Sequence, residues 1–397
     1  MTLPVLTLKK NEDRRLKAGH LWIFSNEVAT EKTPLNQFEP GQAVLIENSQ
    51  GKVIGSGYVN PHSLICARLI SRDPKYVLDK SLITHRLNIA LSLRDRLFNK
   101  PFYRLVYGES DGLPGLIVDR FDDILSVQIN TAGMERVKTD IVAALEKVIK
   151  PKAILMRNDS NARALEGLDS YIETVVGDIP DLIPVEENNT RFEVSLATGQ
   201  KTGWFFDHAK NRLRTLDYVK DKRVLDVFSY VGAWGIQAAN AGAAEVVCIE
   251  SSDKAIELIH HNAEINALQQ KVKTLQGDAF EALKILRNER DKFDVVILDP
   301  PAFIKRKKDI KEGLIAYRRL NQAALQLISN DGILISASCS HHLHRDNLLS
   351  VIHEAGRHID RQLQILEQGH QSPDHPIHPA IPETDYLKAF FVRVLYP

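Results

Sequence analysis

The sequence predicts a multidomain chain: a short all-β module, a mixed α+β unit, and a C-terminal α/β unit built on a parallel sheet. Three observations carry this. Before residue 72 the chain is a series of short β-like pieces punctuated by Pro, Gly and Asn turns. From about residue 190 apolar strand-like segments alternate with helical ones, the pattern of right-handed β-α-β units. The length, 397 residues, exceeds what one hydrophobic core usually supports.

Taken in order, VLTL, GQAVLIEN, VIGSGYV and SLICARLI give residues 1–72 their β character, and SRDPK then breaks the pattern. Residues 80–98 place apolar side chains at helical spacing; FYRLVYGES, GLIVDRF and ILSVQIN read as strands, MERVKTDIVAALEKVI as a helix and AILMRN as a strand. Residues 73–190 are therefore expected to be a smaller α+β domain. Within 191–397, RVLDVFSY, EVVCIE, VKTLQGD, FDVVILDPP and GILISAS read as strands separated by helical segments, which implies a parallel sheet covered on both faces.

Composition narrows the classes. Apolar residues make up 44% and charged residues 26%, and no stretch approaches the roughly 18 consecutive apolar residues of a membrane span. The N-terminal segment has its basic residues after its short apolar run and lacks a small-residue cleavage site, so a cytoplasmic location and no membrane partner are expected. Cys66, Cys248 and Cys339 are far apart and outside any Cys-x-x-Cys spacing, which argues against a disulfide framework and a structural metal. With 51 basic and 51 acidic residues, a nucleic-acid partner would be met by local patches. One patch comprises Lys9, Lys10, Arg14, Arg15 and Lys17; another is Lys305, Arg306, Lys307 and Lys308, with Lys311 beyond. Such runs are most often solvated faces, but the second adjoins a motif.

The first strand-to-helix turn of the α/β unit is VLDVFSYVGAWG, residues 224–235, and the next strand ends at Glu250, 24 residues after Asp226. A G-x-G-x-x-G is absent, and Asp226 at the strand end would repel a pyrophosphate. An adenosine ligand with a positive group suits the turn better. S-adenosylmethionine fits: Asp226 can face its ammonium region, Gly232 allows close backbone approach, Glu250 can accept both ribose hydroxyls, and Asp278 would lie by the adenine. Phe228, Ser229, Tyr230 and Ala279 complete the expected set on either side of these residues. The competing explanation is a Rossmann-like core whose acids cap helices.

FDVVILDPPAF puts Asp299 at the end of the fourth strand, followed by two prolines and Phe303, which can stack on a base. Similar Asp-Pro-Pro-aromatic arrangements serve methyl transfer to planar nitrogen groups, so this motif leaves the target atom open. ISASCSHH, residues 335–342, follows an Asp-Gly turn and ends an apolar run with Cys339 between two serines. A thiolate adding to carbon 6 of a pyrimidine makes carbon 5 nucleophilic, and His341 and His342 could lower the thiol pKa. A free cysteine is more often a small buried hydrophobe; Cys66 and Cys248, inside apolar strands, are assigned that role.

GHLWIFSNEV, SGYVNPHSLICARLI, GESDGLPGLIVDRF, QKTGWFFDHAKNR, VLDVFSYVGAWG, VILDPPAF, SASCSHH and DHPIHPAIPETDYLKAFFVRV together resemble the bacterial PUA-containing cytosine-C5 methyltransferases of large-subunit (23S) ribosomal RNA. The resemblance spans nearly the whole chain. It implies an N-terminal PUA-like small β-barrel that binds RNA, a central α+β linking domain, and a C-terminal Rossmann-like class I methyltransferase domain, in a protein that is often a homodimer. It also implies that Cys339 is the nucleophile, with Asp299 beside it, and that the segment from Lys201 to Arg212 closes over the cofactor, bringing Lys201 and Asp207 into its site. Arg14, Arg15, Lys17, Phe303, Lys305, Arg306, Lys307 and Lys308 are the expected RNA contacts. Pro301 stands where the broader RNA cytosine-C5 enzymes carry a second cysteine, so the base that removes the carbon-5 proton is unassigned; Ala209 stands where the family tends to carry Arg. The rival functions are a ribosomal guanine N-methyltransferase, which would not need Cys339, and a non-catalytic RNA-binding assembly factor.

Overall fold

The computed structural model describes residues 3–197, 199 and 202–397, and the chain forms two compact units. The first runs to Ile183 and includes Ser195–Phe206 and Pro373–Thr384; the second comprises Pro184–Val194, Asp207–Ser372 and Asp385–Pro397. The first unit takes in the expected segments 1–72 and 73–190 for the most part, each with a five-stranded sheet of its own. A buried polar network links the two. Glu166 accepts hydrogen bonds from Asn60, Ser63 and Arg68, at 2.8 to 3.1 Å, and Tyr58 donates its hydroxyl to the Pro114 carbonyl at 2.9 Å. Buried polar groups must be paired, and here the partners come from both of the expected N-terminal domains.

The first unit holds two five-stranded sheets. One is built from Val5–Thr7, Trp22–Ile23, Gln42–Glu47, Val53–Val59 and Ala67–Ser71 around a core that includes Leu6, Val44, Ile46 and Leu69. The other takes Phe102–Tyr107, Leu116–Phe121, Ile124–Ile129, Ala153–Asn158 and Tyr171–Val176 in reverse chain order, with the helices Lys80–Leu97 and Lys138–Ile149 supplying Ile83, Leu87, Ile141 and Leu145 to its core.

The second unit is a seven-stranded sheet whose strands are labelled here β1 (Arg223–Val227), β2 (Glu245–Glu250), β3 (Val272–Gln276), β4 (Phe293–Leu298), β5 (Ile328–Ser338), β6 (Gln362–His370) and β7 (Lys388–Leu395). Their spatial order is 3-2-1-4-5-7-6, and β7 alone runs antiparallel to its neighbours. The central strands are continuous apolar runs, as a sheet covered on both faces requires: Val224, Leu225 and Val227 in β1 and Val295 to Leu298 in β4 are fully buried. Helices α1 (Ala233–Asn240), α2 (Asp253–Ile265), α3 (Ala279–Asn288), α4 (Ile310–Leu327) and α5 (Arg345–His358) follow β1 to β5 in turn. The Asp-Gly expected as a turn before β5 is instead an irregularity within it: Asp331 takes φ 64° and the strand extends back to Ile328.

Candidate active site

Because β1 to β5 run parallel, their carboxyl ends share one edge, which carries Asp278, Glu250, the turn after Asp226, Asp299 and Cys339 in the order 3-2-1-4-5. The turn after β1 is tightly wound: Phe228, Tyr230 and Gly232 take φ of 68°, 52° and 83°, values that L side chains adopt rarely. Asp226 lies beneath it, fully buried, and its Oδ2 accepts the Gly235 N–H at 2.9 Å. A Cβ at Gly235 would lie 2.8 Å from the Cys248 sulfur and 3.1 Å from that carboxylate, so glycine is what lets α1 approach the sheet. Burial pushes the Asp226 carboxyl up to about 7, reinforced by Asp299 and Glu250.

Glu250 ties the turn from the side. Its Oε2 accepts the Tyr230 N–H at 2.8 Å and its Oε1 the Ser251 and Ser252 N–H groups at 2.8 and 3.0 Å. Asp278 is exposed and caps α3 through the N–H groups of Phe280 and Glu281. Helix capping is thus one role of the acids, as the alternative explanation held. The Ser229 hydroxyl turns inward to the Asp226 carbonyl at 2.7 Å, and Ala279 packs in the core, so only their backbones could face a ligand. Lys201 lies outside the described residues. Asp207 is buried, and its Oδ2 accepts the Tyr386 hydroxyl.

The residues present fit S-adenosylmethionine. Asp226 Oδ1 is a buried acceptor without a hydrogen-bond partner, the kind of orphan a cationic ligand satisfies. Asp226, Tyr230, Gly232 and Glu250 are the residues that would hold the cofactor.

At β4 and β5 the register sets Leu298 beside Ser336, so Asp299 and the chain beyond Ser338 emerge from adjacent strands. Asp299 Oδ2 accepts the Trp234 indole N–H at 3.0 Å, and Oδ1 lies 3.2 Å from His208 Nε2. Burial raises the Asp299 pKa, but His208 and the Trp234 hydrogen bond outweigh it and hold the carboxyl below its usual value. Ser338 and Ser340 are buried because both hydroxyls meet that of Tyr317, at 2.8 and 2.9 Å. Ser340 Oγ also accepts the Ile304 N–H at 3.4 Å, joining the Asp-Pro-Pro-Ala-Phe turn to the end of β5. Cys339 stands between these two inward serines and is itself half-exposed. Cys66 and Cys248 are fully buried, and burial pushes the first thiol up to about 12 and the second well above its usual value, as packed cysteines should behave.

Other expected positions are less open than the sequence suggested. Phe303 packs partly inward, its ring 4.8 Å from that of Tyr317. Arg15 is paired with Glu27 at 2.8 Å and Lys17 with Asp13, while Arg14 donates to Asn11 Oδ1 at 3.2 Å; Arg14 and Lys17 remain exposed. Lys305 to Lys308 are all exposed, with Arg306 held to Asp309 at 3.1 Å. Sequence reasoning missed His208, Trp234, Tyr317 and Lys388. A tryptophan between two glycines of the first turn and a lysine inside the apolar run YLKAFFV were the available signals.

Residues 6–72 match the family model of the PUA-like domain, and residues 203–341 that of conserved hypothetical protein 95. The chain is 35% identical to ribosomal RNA large subunit methyltransferase I from Escherichia coli and from an Enterobacter species, over 98% of its own length and 99% of theirs. The chain belongs to this family. It is an S-adenosylmethionine-dependent methyltransferase with an N-terminal PUA-like domain and a Rossmann-like catalytic fold, as expected from its sequence. Among solved structures, a Streptococcus mutans protein assigned as such a methyltransferase shares the fold, with TM-score 0.82, 21% identity, and 98% of this chain against 100% of that one. The tRNA m1G37 methyltransferase of M. jannaschii is more distant, with TM-score 0.52, 18% identity and 79% of each chain. No helix among the described residues of this methyltransferase is long and apolar enough to cross a membrane.

Proposed function

We propose that this methyltransferase modifies carbon 5 of a cytosine in large-subunit ribosomal RNA through a covalent adduct at Cys339. The observation that carries the reading is the placement of a half-exposed thiol one strand from Asp299, on a strand end locked by Tyr317, while the two remaining cysteines are buried. Cytoplasmic ribosomal RNA is the partner in this reading, and a homodimer the assembly.

Bound S-adenosylmethionine supplies the electrophilic methyl group. The Cys339 thiolate forms a bond to carbon 6, which breaks the ring's 5,6 π bond and places an electron pair on carbon 5 for the methyl. Once carbon 5 is methylated, its proton leaves to a base, the double bond re-forms and the thiolate departs. Asp299, kept anionic by His208 and Trp234, can accept from the exocyclic amine of the cytosine and orient the ring. Phe303, half-buried against Tyr317, can stack on the base.

The test uses an RNA substrate with 5-fluorocytosine at the target. Fluorine cannot leave as a proton does, so the wild-type protein should form an adduct that survives denaturation. Cys339→Ser should lose both trapping and turnover while still binding S-adenosylmethionine; methylation by Cys339→Ser at a near wild-type rate would refute the covalent route and favour guanine nitrogen as the acceptor.

A further inference from the structure

The antiparallel direction of β7 brings its first residue, rather than its last, to the edge where β1 to β5 end. That residue is Lys388, paired in register with Ser338 and therefore next to the position from which Cys339 projects. It is 5% exposed. Its ammonium donates to the carbonyls of Ser340 and Tyr386, the latter at 2.9 Å. A buried ammonium is costly without compensating charge, and two carbonyl dipoles satisfy two of its three N–H groups.

The charges around it show what it faces. Burial brings the Lys388 pKa down to about 8; Cys339 and Asp385 act in the opposite direction, and Arg345 adds to the lowering. Tyr317, bound to the serines on either side of Cys339, also feels the Cys339 charge. His341 lies against Tyr386 with ring centres 5.3 Å apart, and His370 is the register partner of Lys388 on β6. Lys388 thus reaches, from the strand opposite Asp299, the carbonyl of the residue that follows Cys339, and is anchored there.

Resting on the reading of Cys339 as nucleophile, we propose that Lys388 is a positioning residue that holds Cys339 as a thiolate before attack and receives the negative sulfur again when the adduct breaks down. The thiol proton leaves to solvent and none is exchanged with the lysine. The S–C6 bond moves the charge into the ring as it forms and returns it to sulfur as it breaks, facing the same ammonium both times. A purely structural lysine, strapping two carbonyls, would not alter the acidity of Cys339.

The experiment is the pH profile of iodoacetamide alkylation in the full-length protein, followed by mass spectrometry of the Cys339 peptide. The wild-type profile should have its midpoint below the ordinary thiol value of about 8.5. Lys388→Met should move it up by about one pH unit and slow alkylation at pH 7 by about tenfold, whereas Lys388→Arg should retain most of the wild-type profile. A wild-type midpoint at or above the ordinary value overturns the proposal even if Lys388→Met does not fold, and so does a Lys388→Met profile superimposable on wild type. A trapped 5-fluorocytosine adduct with an unshifted Lys388→Met profile removes only the role of Lys388. Near wild-type methylation by Cys339→Ser removes the nucleophile and the lysine's role with it.

Discussion

Replacing Asp226 by Asn should stabilise the second unit while weakening its hold on the cofactor. Asp226 is fully buried, and its pKa rises from 3.8 to about 7, chiefly by burial. Between those pH values the folded protein keeps a proton that the unfolded chain has lost, so the contribution of this group to stability is present below about pH 4 and falls as pH rises toward 7. Each pH unit of that gap corresponds to about 1.4 kcal/mol, so the carboxylate costs up to about 4 kcal/mol at pH 8. Asn cannot ionise, and its side-chain oxygen can still accept the Gly235 N–H. In the absence of cofactor, Asp226→Asn should lie nearest wild type below about pH 4, exceed it increasingly up to about pH 7 and keep that margin to pH 8. Since the chain has two compact units, a single global transition is a poor readout. Urea titrations followed by hydrogen exchange of peptides covering residues 223–250 isolate the relevant sheet. At pH 8 the same variant should bind S-adenosylmethionine more weakly in calorimetry, the exchange of stability for function expected at a ligand site. Parallel stability curves for the two proteins from pH 4.5 to 8 would refute the buried-charge argument.

Glu250→Ala should weaken S-adenosylmethionine binding by about 2 kcal/mol, the scale for losing hydrogen bonds to a charged group; unchanged affinity in calorimetry would leave Glu250 only its bonds to Tyr230, Ser251 and Ser252. Replacing Lys305, Arg306, Lys307 and Lys308 together by Ala should lower the slope of log affinity against log salt for single-stranded RNA by about 2, at roughly 0.7 per phosphate contact. Three contacts rather than four are counted because Arg306 is already engaged by Asp309; an unaltered slope would make the run a solvated face.

The parts of this molecule that could be read from its sequence are those in which chain direction does the placing. An apolar run such as VVIL in β4 leaves no doubt that both faces are covered, and successive parallel strands put the residues after them on one edge, so Asp226, Glu250, Asp299 and Cys339 could be brought together before any coordinates. The serines around Cys339 were legible as unusual company for a core residue but not as an anchor, because the hydroxyl they share belongs to Tyr317, in the middle of a helix more than twenty residues away. The same holds for Asp299, whose partners His208 and Trp234 come from segments 91 and 65 residues earlier. Long-range polar pairing also hid the link between the two N-terminal modules: Glu166 finds Asn60 and Arg68 about a hundred residues upstream. Lys388 was obscured for a different reason. Reading β7 as one more strand of a parallel sheet would put its beginning at the far edge, away from the chemistry. Its reversal, imposed by pairing Ser338 with Lys388 and Gly332 with Val394, converts a cation at the head of an apolar strand from an oddity of composition into a neighbour of the thiol.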